Sequence, residues 1–575
     1  MKRKSIALLC LLMSASFALA GCGGGSDNVS SDQESGNKES TEKEILKAKD
    51  PSKIPEVSKK RKDTLIVGTQ NPAGQFCPIY SSTTYDSTVN SLIFEGLLSN
   101  DEKGNATANM ADLPEISDDG KTYTFKIKDG IKFSDGSDLT ADDVAFTYTA
   151  ICDPKYDGPR TDAVEGLVGY EEYRNGDAKS VSGIKVIDPH TISFTLKKVN
   201  ASQLYNFGYG IMPKSVYNFE KGNIQVLKDK FLQPVGSGPY KFVKFEQGQY
   251  ISFEKNDGYW QGEPKIPNII MKVTNAKTNI QELEAGNVDI DDVAAKKQNI
   301  QMLQSAGFLD LQLYPQSAYG YIGLNLRNPK FQDKKVRKAL MYGLDRKGFI
   351  DNYYQGYGAV QNTHGAVVSW AYPSEDSLEK YEYNPDKANE LLDEAGWKMN
   401  KQTGLREKDG VPFEISWLTY TDSNYVDSLI PIVKDCWGKL GIKVTPELME
   451  FATLSEKVND KRDFEIYNMA WNLSIDPDPS AIFSKSQDVP GGFNAVGWHP
   501  EESDKLMEEG IATTDQEKRK EIYGKWMQLI NDDLPYIFLN NNKKCTVISS
   551  KVKNINPSAY VSWTDNIYKA EISTN

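Results

Sequence analysis

Residues 135–143 read DGSDLTADD, and four aspartates in nine positions are the kind of hard oxygen ligands a calcium loop uses. An EF-hand loop also needs ligands at alternate places, a glycine at the sixth and a bidentate glutamate at the twelfth. Counted from Asp135, the glycine falls second and no glutamate stands twelfth. The spacing rejects the metal. The same residues read well as punctuation. Tyr123, Phe125 and Ile127 alternate with Thr122, Thr124, Lys126 and Lys128, which predicts a half-buried strand. Asp129-Gly130 is a turn signal, Ile131-Lys132-Phe133 reads as a returning strand, and Asp135-Gly136 turns the chain again. Thr140 with Asp143 three residues on forms a capping box, ahead of a helix whose apolar stripe is Val144, Tyr148 and Ile151.

Other catalytic signatures are absent. The chain holds no G-x-S-x-G, H-E-x-x-H or G-x-x-x-x-G-K-[ST] motif. Its three histidines, His190, His364 and His499, are scattered, and nothing nearby resembles a triad or a ligand cluster. Cysteines lack zinc spacing: Cys77, Cys152, Cys436 and Cys545 are far apart, and could be buried thiols or up to two bridges. No enzyme, cofactor or metal is expected.

Aromatic residues are the more informative resource, with 30 tyrosines and nine tryptophans. Such amphipathic side chains make good walls for a polar organic ligand. In FEIYNMAWNLSIDPDPSAIFSK (464–485), a buried strand is predicted to end at Trp471. The loop that follows carries Asp476-Pro477-Asp478-Pro479, and two X-Pro units stiffen it.

The elements that must position these residues belong to a large chain. At 575 residues it exceeds one hydrophobic core, and 39% hydrophobic with 26% charged residues is a globular composition. A net charge of −13 gives a nucleic-acid partner no electrostatic footprint. At the start, Lys2, Arg3 and Lys4 precede an apolar run too short to span a bilayer, which reads as a signal peptide over 1–21. Its end, Leu19-Ala20-Gly21-Cys22, resembles a bacterial lipobox, implying cleavage before Cys22, acylation of that thiol and anchoring to the cell membrane. Residues 22–62 are polar and without helical period, and are expected to form a flexible tether. About 40 such residues span roughly 35 Å r.m.s..

YTFKIKDGIKFSDGSDLTADDVAF (123–146) closely resembles the signature of the large extracytoplasmic solute-binding proteins that serve peptide and nickel ABC importers. So do LIVGTQNPAGQFCPIYSSTTYDSTVNSLIFEGLLSND (65–101) and PVGSGPYKFVKFEQGQYISFEKNDGYWQGEPKIPNIIMKV (234–273). IQELEAGNVDI (280–290), YIGLNLRNPKFQDKKVRKALMYGLDRKGFI (321–350) and YEYNPDKANELLDEAGW (381–397) follow in the family's order.

The resemblance implies an α/β, two-lobed periplasmic-binding-protein-like fold of class II, with an extra subdomain on lobe I and a two-segment hinge. Lobe I is expected at 63–315 plus 541–575, with its inserted subdomain at about 85–230, and lobe II at 316–540. It further implies a monomeric, extracytoplasmic receptor that captures oligopeptides and delivers them to the permease and ATPase of an ABC importer. Another solute, such as a nickel chelate, a sugar oligomer or a signalling peptide, is the alternative. Ligand walls are expected from Trp471, from Tyr319 and Tyr321 at the first crossing, from Tyr536 and Phe538 at the return, and from Thr69 and Gln70 in lobe I. Relatives that clasp a peptide's α-amine carry an aspartate three residues after the tryptophan. Ser474 stands there, which points to the longer-peptide members and leaves Asp476 or Asp478 as substitute anchors.

Within the sequence, amphipathic helices are also predicted at 334–344, through Val336, Leu340 and Leu344, and from Asn384-Pro385 to Gly396, through Ala388, Leu391, Leu392 and Ala395.

Overall fold

A computed structural model of the chain describes residues 42–573. Its frame is one long strand, Tyr536–Ser549, that belongs to both halves of a continuous sheet. On one side it pairs antiparallel with Ile290–Ala294 and Leu309–Pro315 through residues 543–549. Beyond Ile290–Ala294 lie Thr64–Thr69, Asn268–Val273, Tyr250–Lys255 and Tyr240–Glu246 in turn. Residues 536–540 of the same strand pair instead with Ala318–Leu324, beyond which stand Ile466–Asn472, Glu414–Tyr420 and Lys443–Met449. The chain also crosses at 315–318, between the adjacent strands Leu309–Pro315 and Ala318–Leu324.

The cores respect that division. One joins buried side chains between 65 and 290 with Ile548, Val552, Ile555, Ile567 and Ala570. A smaller one, around Leu283, Leu303 and Leu311, backs the same sheet and takes in Cys545 and Val547. A third uses residues between 319 and 539 alone. The fold is therefore two-lobed and α/β, with a four-stranded antiparallel sheet, built on Thr122–Lys126 and Thr191–Thr195, packed into the first core.

Local signals form as their residues dictate. Thr122–Lys126 buries Tyr123 and Phe125. Ala141–Ile151 is capped by Thr140, whose N–H donates to Asp143 Oδ2 at 2.9 Å, and Asp135 Oδ1 accepts from the Ser137 N–H. Helix Lys334–Tyr342 buries Val336 and Leu340, and Pro385–Glu394, capped by Asn384, buries Ala388 and Leu392. Gly396 follows with φ +87°, a left-handed turn that glycine adopts without strain.

Three expectations change. Ile131–Phe133 forms no returning strand: only Lys132 bridges, to Asp138, and Thr122–Lys126 pairs with Thr191–Thr195, nearly seventy residues on. Residues 44–60, assigned to the tether, are built into the first lobe. Glu44–Leu46 pairs with Leu309–Pro315, and Glu56–Lys60 is a helix whose Ser58 is buried against Asp289. Arg61 closes this segment with a 2.8 Å ion pair to Asp289. The four described cysteines are free, buried thiols, so the option of two bridges falls. Cys22 lies outside the described residues.

Candidate functional site

A cavity of about 1280 Å³ opens where the two lobes meet. Its floor is the C-terminal end of the first-lobe sheet. Gly68, Thr69 and Gln70 close strand Thr64–Thr69 there, and Asp291 and Asp292 stand within the neighbouring strand Ile290–Ala294. Ser317, Leu473 and Ile475 reach it from the second lobe.

Asp291 is 7% exposed and carries no ion pair among the described residues; its carboxylate accepts from Thr274 Oγ1 at 2.8 Å and from the Asp292 N–H at 2.8 Å. Burial pushes its pKa up to about 6, with the Thr274 hydrogen bond opposing the shift. Only a glycine fits at position 68, because a Cβ there would overlap the Asp291 carboxylate. Asp292 is matched instead: Lys544 Nζ stands 2.8 Å away and Thr546 Oγ1 donates at 2.6 Å. Burial acts to lower the Lys544 ammonium, and Asp292 more than offsets it, leaving the pKa raised.

Farther along the wall, Glu95 accepts from Tyr259 Oη at 2.7 Å and from Trp260 Nε1 at 2.6 Å. Burial lifts its pKa to about 7 against those bonds. The Tyr-Trp pair quoted from 234–273 thus fixes a carboxyl group in the cavity wall. The C-terminal segment adds Tyr560, Trp563 and Tyr568.

Of the residues expected at the site, Thr69 and Gln70 line this cavity. Trp471 is half-buried at the end of its strand, stacked at 6.0 Å on Tyr321 and edge-on to Phe493; it lines neither this cavity nor the smaller one described below. Tyr321, Tyr536 and Phe538 are core residues: Tyr321 stacks on Tyr536 at 4.1 Å, and Phe538 packs against Tyr319. Tyr319 is 2% exposed, its hydroxyl meets His364 Nδ1 at 2.8 Å, and it lines the smaller cavity described below. Burial takes the His364 pKa down to about 3, so this histidine is a neutral packing partner. Ser474 is exposed, with its hydroxyl on the Asp476 carbonyl. Asp478 caps the turn at Ser480, and burial raises its pKa to about 6.

Asp476 is committed elsewhere. Its Oδ1 accepts from Arg519 Nη2 at 2.9 Å, within the second lobe, and from Ser202 Oγ at 2.9 Å, across from the first. Around it the lobes are stitched further. The Ala201 N–H donates to the Ile511 carbonyl at 2.8 Å, Gln516 Nε2 to Asn105 Oδ1 at 2.7 Å, and Trp370 Nε1 to Tyr205 Oη at 3.3 Å. The stiff Asp-Pro-Asp-Pro loop thus joins the two lobes through Asp476.

Sequence reasoning missed Asp291, Asp292, Lys544 and the aromatic tail. For the tail a signal existed, the run SAYVSWTDNIY; for the aspartates none did, since VDIDDV reads as an ordinary strand.

These features define a class. The family model "Bacterial extracellular solute-binding proteins, family 5 Middle" matches residues 105–492, and the chain belongs to that family of substrate-binding proteins of peptide ABC importers. Among relatives, the oligopeptide-binding protein AppA of Bacillus subtilis is 31% identical over 546 residues, 94% of each chain. Its solved structure, in complex with a nonapeptide, matches with a TM-score of 0.68 over 89% of this chain and 99% of that one. NikZ from Campylobacter jejuni, solved with Ni(L-His), matches at 26% identity and a TM-score of 0.70 over 89% and 99%.

Proposed function

We infer that this protein is the lipid-anchored receptor of an oligopeptide importer, capturing extracellular peptides between its two lobes and handing them to the permease. The observation that carries this reading is the cavity of about 1280 Å³ walled by both lobes, whose size suits several residues of extended peptide rather than one small solute. The similarity to AppA, solved around a nonapeptide, supports the same reading. A receptor that accepts many sequences must draw affinity from the backbone that all peptides share, with side chains in roomy, hydrated space. No carboxylate stands at position 474, and Asp476 is committed to Arg519 and Ser202. The peptide's amino end is therefore held loosely, and N-acetylation is expected to leave affinity within a few fold.

Native mass spectrometry of protein purified from its own host tests the reading. Peptides of mixed sequence should co-purify; a single metal chelate or sugar in their place would overturn it. Cys22 is proposed as the acylated N-terminus of the mature chain. Cys22→Ala should move the protein from the membrane fraction to the medium or periplasm, and a variant still fully membrane-bound would refute the anchor.

A further inference from the structure

A second cavity, of about 490 Å³, abuts the first along Asp292, Ala294 and Lys544. Its chemistry is the reverse of its neighbour's. Glu95, Asp101, Asp291, Asp292 and Asp565 line the large cavity, with Lys544 as the only lysine or arginine among the described residues. Lys296, Lys543 and Lys544 line the small one, with Asp292 its only carboxylate among the described residues. Two of those lysines are occupied: Lys544 pairs with Asp292 at 2.8 Å, and Lys543 Nζ lies 3.7 Å from Glu44 Oε2. Lys296 forms no ion pair among the described residues; its ammonium sits over the Tyr353 ring, 5.3 Å from the centroid. Around it stand Tyr354, Tyr420 and Tyr425. Two are fixed by Asn540, which donates to Tyr354 Oη at 2.9 Å and accepts from Tyr425 Oη at 2.7 Å.

We propose that the smaller cavity receives the carboxyl end of the peptide, the terminal carboxylate meeting Lys296 and the last side chain lying among the tyrosines. The inference rests on the peptide reading above. An extended peptide across two joined chambers of opposite charge has one favourable direction, its carboxylate toward the lysines and its amino end left in the wide acidic chamber without a fixed partner. A cation already on an aromatic face is partly shielded from water, so an arriving carboxylate meets a charge that is cheap to desolvate further. Five tyrosine walls, Tyr319 among them, favour an apolar or aromatic last residue, whose face and edge both find partners. Side chains nearer the amino end have no such enclosure. Selectivity is then concentrated at the carboxyl terminus.

The probe is a synthetic peptide library without Asp or Glu, prepared as free acids and as C-terminal amides, offered to the unliganded full chain and read by native mass spectrometry. The free acids should be retained about tenfold more than the amides, the size of one hydrogen bond to a charged group. In Lys296→Gln that preference should vanish, and in Lys296→Arg it should remain. Equal retention of acids and amides by the wild type would overturn the subsite while leaving peptide capture intact, as would a preference that survives in Lys296→Gln. Retention of neither form would overturn it together with the peptide reading.

Discussion

Asp291 stands where a carboxylate is expensive. It is buried, without a cation among the described residues, and its pKa is raised to about 6. A carboxyl whose folded pKa lies above its unfolded value stabilises the fold fully at pH below about 4, and that contribution is lost as pH rises through about 6. Asp291→Asn keeps a partner for Thr274 and removes the charge. In the ligand-free protein the variant should be more stable than the wild type by about 2 kcal/mol at neutral pH, with the gap closing toward pH 4. Urea unfolding at the two pH values measures it, and a gap independent of pH would show that the carboxylate is already compensated. The other raised carboxyls, on Glu95, Asp478 and Asp565, titrate in both proteins, so the difference isolates position 291.

At the level of the element, the capping box gives a direct test of the aspartates that resemble a metal loop. Asp143 Oδ2 accepts from the Thr140 N–H and hydroxyl, and its Oδ1 accepts from the Lys214 N–H at 2.8 Å. Asp143→Ala should destabilise the protein by about 1–2 kcal/mol through the lost cap. Added calcium should change the midpoint of neither protein; a calcium-dependent gain in the wild type would restore the metal reading. This box was legible because its partners lie within four residues, as were Asn384 before Pro385 and the glycine at 396. Ile131–Phe133 was not, because its neighbouring strand takes a partner that local sequence cannot name. The aromatic pairs show where alternation stops being informative. Tyr319 with Tyr321, and Tyr536 with Phe538, each share one face of a strand, and their register, Tyr321 opposite Phe538, stacks them together. Period two reports that they face the same way. Whether that face is core or cleft depends on what packs over it, here His364, Phe483 and Trp526 from distant segments.

For the whole molecule, the bonds joining Ser202 to Asp476 and Asn105 to Gln516 are two of the side-chain bonds that link the lobes away from the two crossings. Each contributes about 1 kcal/mol to the closed arrangement, so removing both shifts the equilibrium toward opening by roughly thirtyfold. Ser202→Ala with Gln516→Ala orphans no charge, since Arg519 still holds Asp476. Small-angle scattering should give the double variant a larger radius than the wild type without peptide, and the same radius at saturation. Equal radii in both states would mean that these bonds contribute nothing to closure. Arg519→Ala acts differently: it leaves Asp476 buried without its cation, and should destabilise the second lobe by about 3–5 kcal/mol.

Strand Glu44–Leu46 gives the two lobes unequal mechanical standing. It is zipped to Leu309–Pro315 in the first lobe, with Lys43 bonded to Asn556 and Arg61 locked to Asp289 a few residues later. A pull arriving along the N-terminal chain is therefore spent first on first-lobe bonds, and its covalent route to the second lobe runs through residues 315–318 and the strand Tyr536–Ser549. For a receptor moored by its N-terminus, the first lobe is the stator and the second the swinging jaw. Under the anchoring proposed above, tugging, collision and flow would drag the molecule about by its fixed half, and the gap proposed to admit a peptide would open and shut without strain from the mooring.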